Sequence, residues 1–145
     1  MTAPSRPLAQ VRLAFDGTPA AGRVARAAVE FLARESGLND DRCRSVASAF
    51  FGACRLLSKG RSPDGRGFLR CTMRAARGKL QIGLTPREGP DPDALRRLDA
   101  PRWRSIARKV SLLRWQAAGS LGVSRRGTLL IVQAQAPRPG ARSGG

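Results

Sequence analysis

Histidine and tyrosine are both missing from this chain of 145 residues, and acids are scarce. Without histidine there is no Ser–His–Asp or Cys–His catalysis and no His-ligated metal site. Three cysteines, Cys43, Cys54 and Cys71, lie far apart with no C-x-x-C, which argues against a zinc knuckle or a disulfide framework. An odd number of thiols fits a reduced, intracellular protein, and the expected location is cytoplasmic. No apolar run approaches the ~18 residues of a membrane span, and Met1 to Gln10 lacks a signal-peptide core.

The chain has 27 bases against 10 acids, a net charge of +17, and all but three of the bases (Lys59, Lys79 and Lys109) are arginine. Arginine-rich coding does not remove acids, so the charge needs its own explanation. Such a surface attracts polyanions or acidic proteins and speeds their encounter. A hydrophobic content of 41% favours a folded domain over a basic disordered tail.

Residues 1–7 read as a disordered N-terminus, 8–135 as one domain, and 136–145, rich in Pro, Gly, Ser and Arg, as a disordered tail. Leu8 to Phe15 alternates as a strand, with Val11, Leu13 and Phe15 on one face. Thr18-Pro19 opens a helix whose inner face is expected at Val24, Ala28, Phe31 and Leu32, and Gly37 ends it. On its other side, Glu30 and Glu35 fit a solvated face better than a catalytic pair. Asn39 or Asp40 caps a second helix striped by Cys43, Val46, Ala47, Phe50, Cys54 and Leu57. Buried core thiols are the simplest reading of its cysteines.

Leu69, Cys71 and Met73 alternate with Arg70, Thr72 and Arg74. Arg77-Gly78 then turns the chain into a return strand at Leu80, Ile82 and Leu84. Thr85 to Ala100 is Pro-rich and carries four of the ten acids, as an exposed loop would. A third helix is expected from Pro101, with Trp103, Ile106, Ala107, Val110 and Leu113 facing inward. A second hairpin is expected from Leu121–Val123 and Thr128–Ala134, around Arg125-Arg126-Gly127. The apolar run Leu129–Val132 suits a central strand. The order β-α-α-β-β-α-β-β then implies an α+β two-layer sandwich: a mixed sheet with the helices on one face.

From about Val11 to Gln135 this order resembles the histidine-kinase-like ATPase (GHKL) fold, and within it the small anti-sigma-factor serine kinases. The resemblance implies a Glu on the second helix as general base and an Asn four residues later as magnesium ligand. In Ser48-Ala49-Phe50-Phe51-Gly52-Ala53 those positions hold Ser48 and Gly52. It also implies an Asp-x-Gly-x-Gly box after the second hairpin strand, its Asp reading adenine. Here Leu84-Thr85-Pro86-Arg87-Glu88-Gly89 puts Pro86 near the Asp position and leaves Gly89 as the nearby glycine. A further glycine box is implied before the third helix, where Asp99 to Trp103 has none. Gly127-Thr128 matches the family's late Gly-Thr pair, although a plain hairpin turn explains that dipeptide equally well. Magnesium-ATP needs oxygen ligands and a backbone that can approach the phosphates. The only asparagine, Asn39, is a cap, and no P-loop is present.

The expectation is therefore a degenerate pseudo-ATPase: no cofactor, no metal and no catalytic residue. It would regulate by binding an acidic protein, by analogy a sigma factor or an anti-sigma antagonist. The candidate anionic-partner surface is Arg96, Arg97, Arg102, Arg104, Arg108 and Lys109. A solvated helix face is the simpler account of that cluster. The sequence leaves the oligomeric state open, and a homodimer is compatible with it. The alternative is a small basic DNA- or RNA-binding protein, with a helix-turn-helix near 116–130 suggested by Gln116 to Arg126. Against that, Gly127 interrupts the recognition helix and Thr128–Val132 is β-branched and apolar. The bases are also spread over every element, which suits a generally positive surface more than a single groove-reading helix.

Overall fold

The computed structural model describes residues 8–16, 18–58, 68–86, 101–117 and 127–135. Its elements are β1 (Ala9–Asp16), α1 (Pro19–Glu35), α2 (Asp40–Ser58), β2 (Phe68–Ala76), β3 (Lys79–Pro86), α3 (Pro101–Ala107), β4 (Leu112–Ala117) and β5 (Gly127–Ala134). The expected order is the one found. The strands form one five-stranded sheet in the order β1-β2-β3-β5-β4. All four pairings are antiparallel, so the mixed sheet expected from the sequence is corrected. β5 runs back along β3, and β4 pairs on its far side, so no two neighbours share a direction.

Local chemistry explains the helix ends. Thr18 Oγ1 accepts from the Ala21 amide at 3.3 Å, with Pro19 as the first helical residue. Gly37, at φ 87°, makes the left-handed turn after α1. Asn39 Oδ1 accepts from the Arg42 amide at 2.9 Å and so caps α2. At the hairpin, Gly78 (φ 70°) allows Ala76 to pair with Lys79.

The core lies between the sheet and α1 and α2. The α2 stripe is buried as expected, and it meets Leu69, Cys71 and Met73 of β2 and Leu80, Ile82 and Leu84 of β3. Phe50, fully buried, sits 6.4 Å from the Phe15 ring in a tilted arrangement. Each large apolar side chain so buried contributes about 1.5–3 kcal/mol.

The inner face of α1 differs from expectation. Ala25, Val29, Leu32 and Ala33 are buried, whereas Val24 is 71% and Phe31 61% exposed. Leu32 faces inward as expected, and at the Gly22 end the face is small because α2 lies close: a Cβ on Gly22 would stand 3.1 Å from the Phe51 ring.

The third helix stops at Ala107, so Val110 and Leu113 are not on its inner face. Lys109 N–H donates to the Ile106 carbonyl and Val110 N–H to that of Ala107, a tightening turn that leads into β4. Leu113 and Trp115 pair with Ile131 and Leu129 and face the helices from a strand instead. β4 thus takes the place of the strand expected at Leu121–Val123, which lies outside the described residues. β5 is interior, between β3 and β4, as its apolar run suggests. The helix-turn-helix reading fails at both ends, since Gln116 and Ala117 close β4 and Gly127 to Leu130 open β5. The termini 1–7 and 136–145 also lie outside the described residues.

Candidate functional site

The outer side of α2 faces α3. Ser48 is half-buried there, and Lys109, just beyond α3, donates from Nζ to Ser48 Oγ at 2.9 Å. One helical turn on, a Cβ at Gly52 would meet Ile106 Cδ1 and Cγ1 at 3.4 Å, so Gly52 is where α3 rests on α2. From this contact an open cavity of about 900 Å³ extends over α2 to the start of α1. Arg55, Arg102 and Lys109 bring positive charge to its lining, and Phe51, Leu56 and Ile106 give it apolar walls. Asp16, at the α1 end, accepts from the Thr18 hydroxyl at 2.6 Å and the Thr18 amide at 3.1 Å.

The remaining candidate positions do not join this group. Pro86 is buried at the end of β3, opposite Leu69 in register. Gly127 is buried against Trp115 on the covered side of the sheet. Thr128 is on the other side, because alternation along β5 sends Leu129 into the core and Thr128 away from it. Its Oγ1 lies 2.8 Å from Thr85 Oγ1, a hydroxyl pair on the face of the sheet turned away from α1 and α2. Ser48 and Gly52 are thus brought together with Lys109, while Thr128 is separated from them by the sheet. Gly89 lies outside the described residues.

Of the candidate basic cluster, Arg102 and Arg104 stand on α3, and Arg108 and Lys109 on the turn after it. All four are exposed. Arg96 and Arg97 lie outside the described residues.

Two features escape sequence reasoning. Arg55 joins the cavity from α2, a position visible only once α3 is placed. Gln133 is 2% exposed and ties three elements together. Its Nε2 donates to the Lys109 carbonyl at 2.8 Å, and its Oε1 accepts from Ser111 Oγ at 3.0 Å and from Arg42 Nη1 at 3.4 Å. The available signal was parity: Gln133 has the same strand phase as Leu129 and Ile131.

Burial disfavours the thiolate form at all three cysteines. Burial pushes Cys71 up to about 12, and Cys54 rises further, with Cys71 as a second cause. Cys43 is also raised by burial, partly offset by Arg34. Among the described residues no group of His, Cys, Asp or Glu could hold a metal ion, and no helix is long and apolar enough to cross a membrane.

With this geometry in place, comparison with solved structures finds the crystal structure of the RsbU and RsbW domains of Rv1364c from Mycobacterium tuberculosis. The TM-score is 0.63 over 91% of the present chain, at 16% identity. The likeness is one of fold. It spans 34% of that longer chain and agrees with the architecture inferred from element order. No family model and no curated protein sequence matches.

Proposed function

We propose that this chain is a degenerate histidine-kinase-like domain that regulates by binding an acidic protein, without magnesium-ATP binding or kinase activity. The observation that carries this reading is the closure of α2 by α3. At the two positions where the resemblance implies a general base and a magnesium ligand stand Ser48 and Gly52. One is bonded by the Lys109 ammonium and the other is covered by Ile106. An ammonium held one helical turn from the metal-ligand position repels a divalent cation there. The structural neighbour supports the scaffold, and a sigma factor or an anti-sigma antagonist as the partner follows from the family resemblance by analogy.

An anionic partner is also supported by the face of the sheet that no element covers among the described residues. Arg12, Arg70, Arg74 and Arg114 are exposed there, set among Thr72, Gln81 and Leu130. Calorimetric titration tests the reading: magnesium-ATP is expected to give no saturable heat. A sigma factor or anti-sigma antagonist from the same organism is expected to bind at moderate salt. Tight magnesium-ATP binding overturns the degenerate-site reading. Sequence-selective DNA binding that persists at moderate salt overturns the protein-partner reading. Weak binding that vanishes steeply with salt is expected of any surface this positive.

A further inference from the structure

The face of the sheet turned away from α1 and α2 combines charge of one sign with an apolar floor. Among the described residues no element covers it, and Asp16, engaged by Thr18, is the only acid on the five strands. Read across the strands in register, the central row is Arg12, Thr72, Gly83, Leu130 and Arg114. Both ends of this row are exposed arginines on the edge strands. In the middle, Gly83 keeps the floor at backbone level, and Leu130 and Val132 beside it are half-buried. Val132 pairs with Leu112, 41% exposed, which carries the apolar surface to the β4 edge. The result is a shallow apolar trough along β3 and β5 between two basic banks. Arg12, Arg70 and Arg74 form the bank on β1 and β2, and Arg114 forms the bank on β4.

We infer that this trough receives one amphipathic helix of the acidic partner, laid along the strands, its apolar stripe on Gly83, Leu130 and Val132 and its acids on the arginines. The inference rests on the proposed reading of an acidic protein partner and adds where, and in what form, that partner docks. The dimensions fit a single helix. From β1 to β4 the sheet spans four strand spacings, about 19 Å. That leaves room for a helix about 10–12 Å across with a side chain reaching out on either flank. On the β1–β2 bank, Arg74, Arg12 and Arg70 succeed one another along the strand direction in steps of about 7 Å. Carboxylates four residues apart on a helix are spaced by about 6 Å, so each can meet one guanidinium. A helix placed here also gives the sheet a second apolar partner layer, as in three-layer α/β domains. Two other anionic occupants match the face less well. A phosphate backbone gains nothing from the apolar floor, and among the described side chains no aromatic stands on this face to stack a base. A lipid surface meets what protrudes, whereas Leu130 and Val132 lie recessed between the banks.

An amide NMR titration of the full chain in about 0.15 M salt tests this. The probe is a synthetic helical peptide of about 18 residues, with leucine and alanine in one stripe and glutamate on both flanks. Saturable binding with a Kd of about 10–100 µM is expected, with the largest shifts at Thr72, Gly83 and Leu130. A peptide of the same composition, permuted so that the stripe is lost, is expected to bind about tenfold more weakly. Arg12→Glu/Arg74→Glu is expected to weaken binding of the striped peptide about a hundredfold, since two attractions become repulsions. Both arginines are exposed, so the spectrum away from this face should stay unchanged. Leu130→Gln makes the floor polar without adding charge and is expected to cost about tenfold. Absence of saturable binding up to about 1 mM peptide overturns the inference. So does equal binding of the permuted peptide, or indifference to Leu130→Gln, since charge alone would then account for the contact. Shifts centred on another surface overturn the trough and leave the acidic-partner reading standing. Displacement of the peptide by a uridine oligonucleotide, persisting at about 0.3 M salt, would make the face a nucleic-acid site and overturn both.

Discussion

A Cβ at position 127 would stand about 2.6 Å from Trp115 Cε2 and 2.7 Å from the Gln116 carbonyl oxygen. The glycine is therefore required by an indole laid across the start of β5, independently of any nucleotide. This matters for reading the sequence, since Gly127-Thr128 is the one dipeptide there that matches the family's late box. Gly127→Ala is expected to cost about 1–3 kcal/mol, as overpacking does, measured by urea denaturation followed through tryptophan fluorescence. The cysteines give a second prediction at this scale. Their thiols are raised in the folded state by burial, so the unfolded chain releases protons first as the pH rises. Their contribution is fully present below about pH 9 and is lost between there and about pH 12, where Cys71 ionises in the fold. Stability should fall progressively over that alkaline window, and at pH 8 all three thiols should react with an aromatic disulfide reagent only as fast as the protein opens. Rapid stoichiometric labelling of the native protein would contradict the burial described.

At the scale of elements, what could be read from the sequence was whatever has a strong period or a marked end. The β2–β3 hairpin alternates cleanly, and the α2 stripe contains Phe50 and Leu57 at the right spacing. Thr18, Gly37 and Asn39 mark their boundaries by type. The misread elements lack such marks. Nothing between Ala107 and Leu112 is glycine or proline, so the helix pattern Trp103, Ile106, Val110, Leu113 runs on in sequence after the helix has ended in space. On α1 the expected face holds at Leu32 but fails at Val24 and Phe31, because the helix turns Gly22, Ala25 and Val29 inward and close packing of Phe51 on Gly22 has no signature among large apolar residues. The candidate site was less legible still. Ser48 and Lys109 are separated by 61 positions, and only the tertiary fold brings them to hydrogen-bond distance. The element boundary at α3 has a testable anchor. Gln133 holds the Lys109 carbonyl and the Ser111 hydroxyl, and Ser111 Oγ in turn accepts from the Ala134 amide at 3.0 Å. Gln133→Ala is expected to cost about 1–2 kcal/mol, since it removes part-buried hydrogen bonds to the Lys109 carbonyl and the Ser111 hydroxyl. Hydrogen exchange should accelerate first at residues 108–113, where the turn loses its anchor, and only later in β2 and β3. Uniform acceleration across the sheet would show that Gln133 supports the core more than the turn.

For the whole molecule, the charge has to be reconciled with a compact fold. Twenty-seven bases and ten acids leave +17 on 145 residues. The bases are spread over both layers: on α3 and its following turn, along the sheet face turned away from the helices, and on α1. Charges dispersed in this way repel one another in the folded state more than in the expanded chain, so folding works against the charge that recruits a partner. Salt relieves that opposition, because the Debye length shrinks from about 30 Å at 0.01 M to about 10 Å at 0.1 M. The melting temperature should therefore rise with sodium chloride from 10 to 300 mM, by about 4 °C for a relief of about 1 kcal/mol in a domain of this size. Sulfate at equal ionic strength separates screening from site binding. Where cations converge, as Arg55, Arg102 and Lys109 do around the α2 cavity, a divalent anion should stabilise more than screening alone allows. Replacing Arg102 by Gln should remove that excess while leaving the chloride response nearly unchanged. A melting temperature indifferent to salt would mean that the positive charge is compensated within the fold, and the argument for an anionic partner would lose its footing.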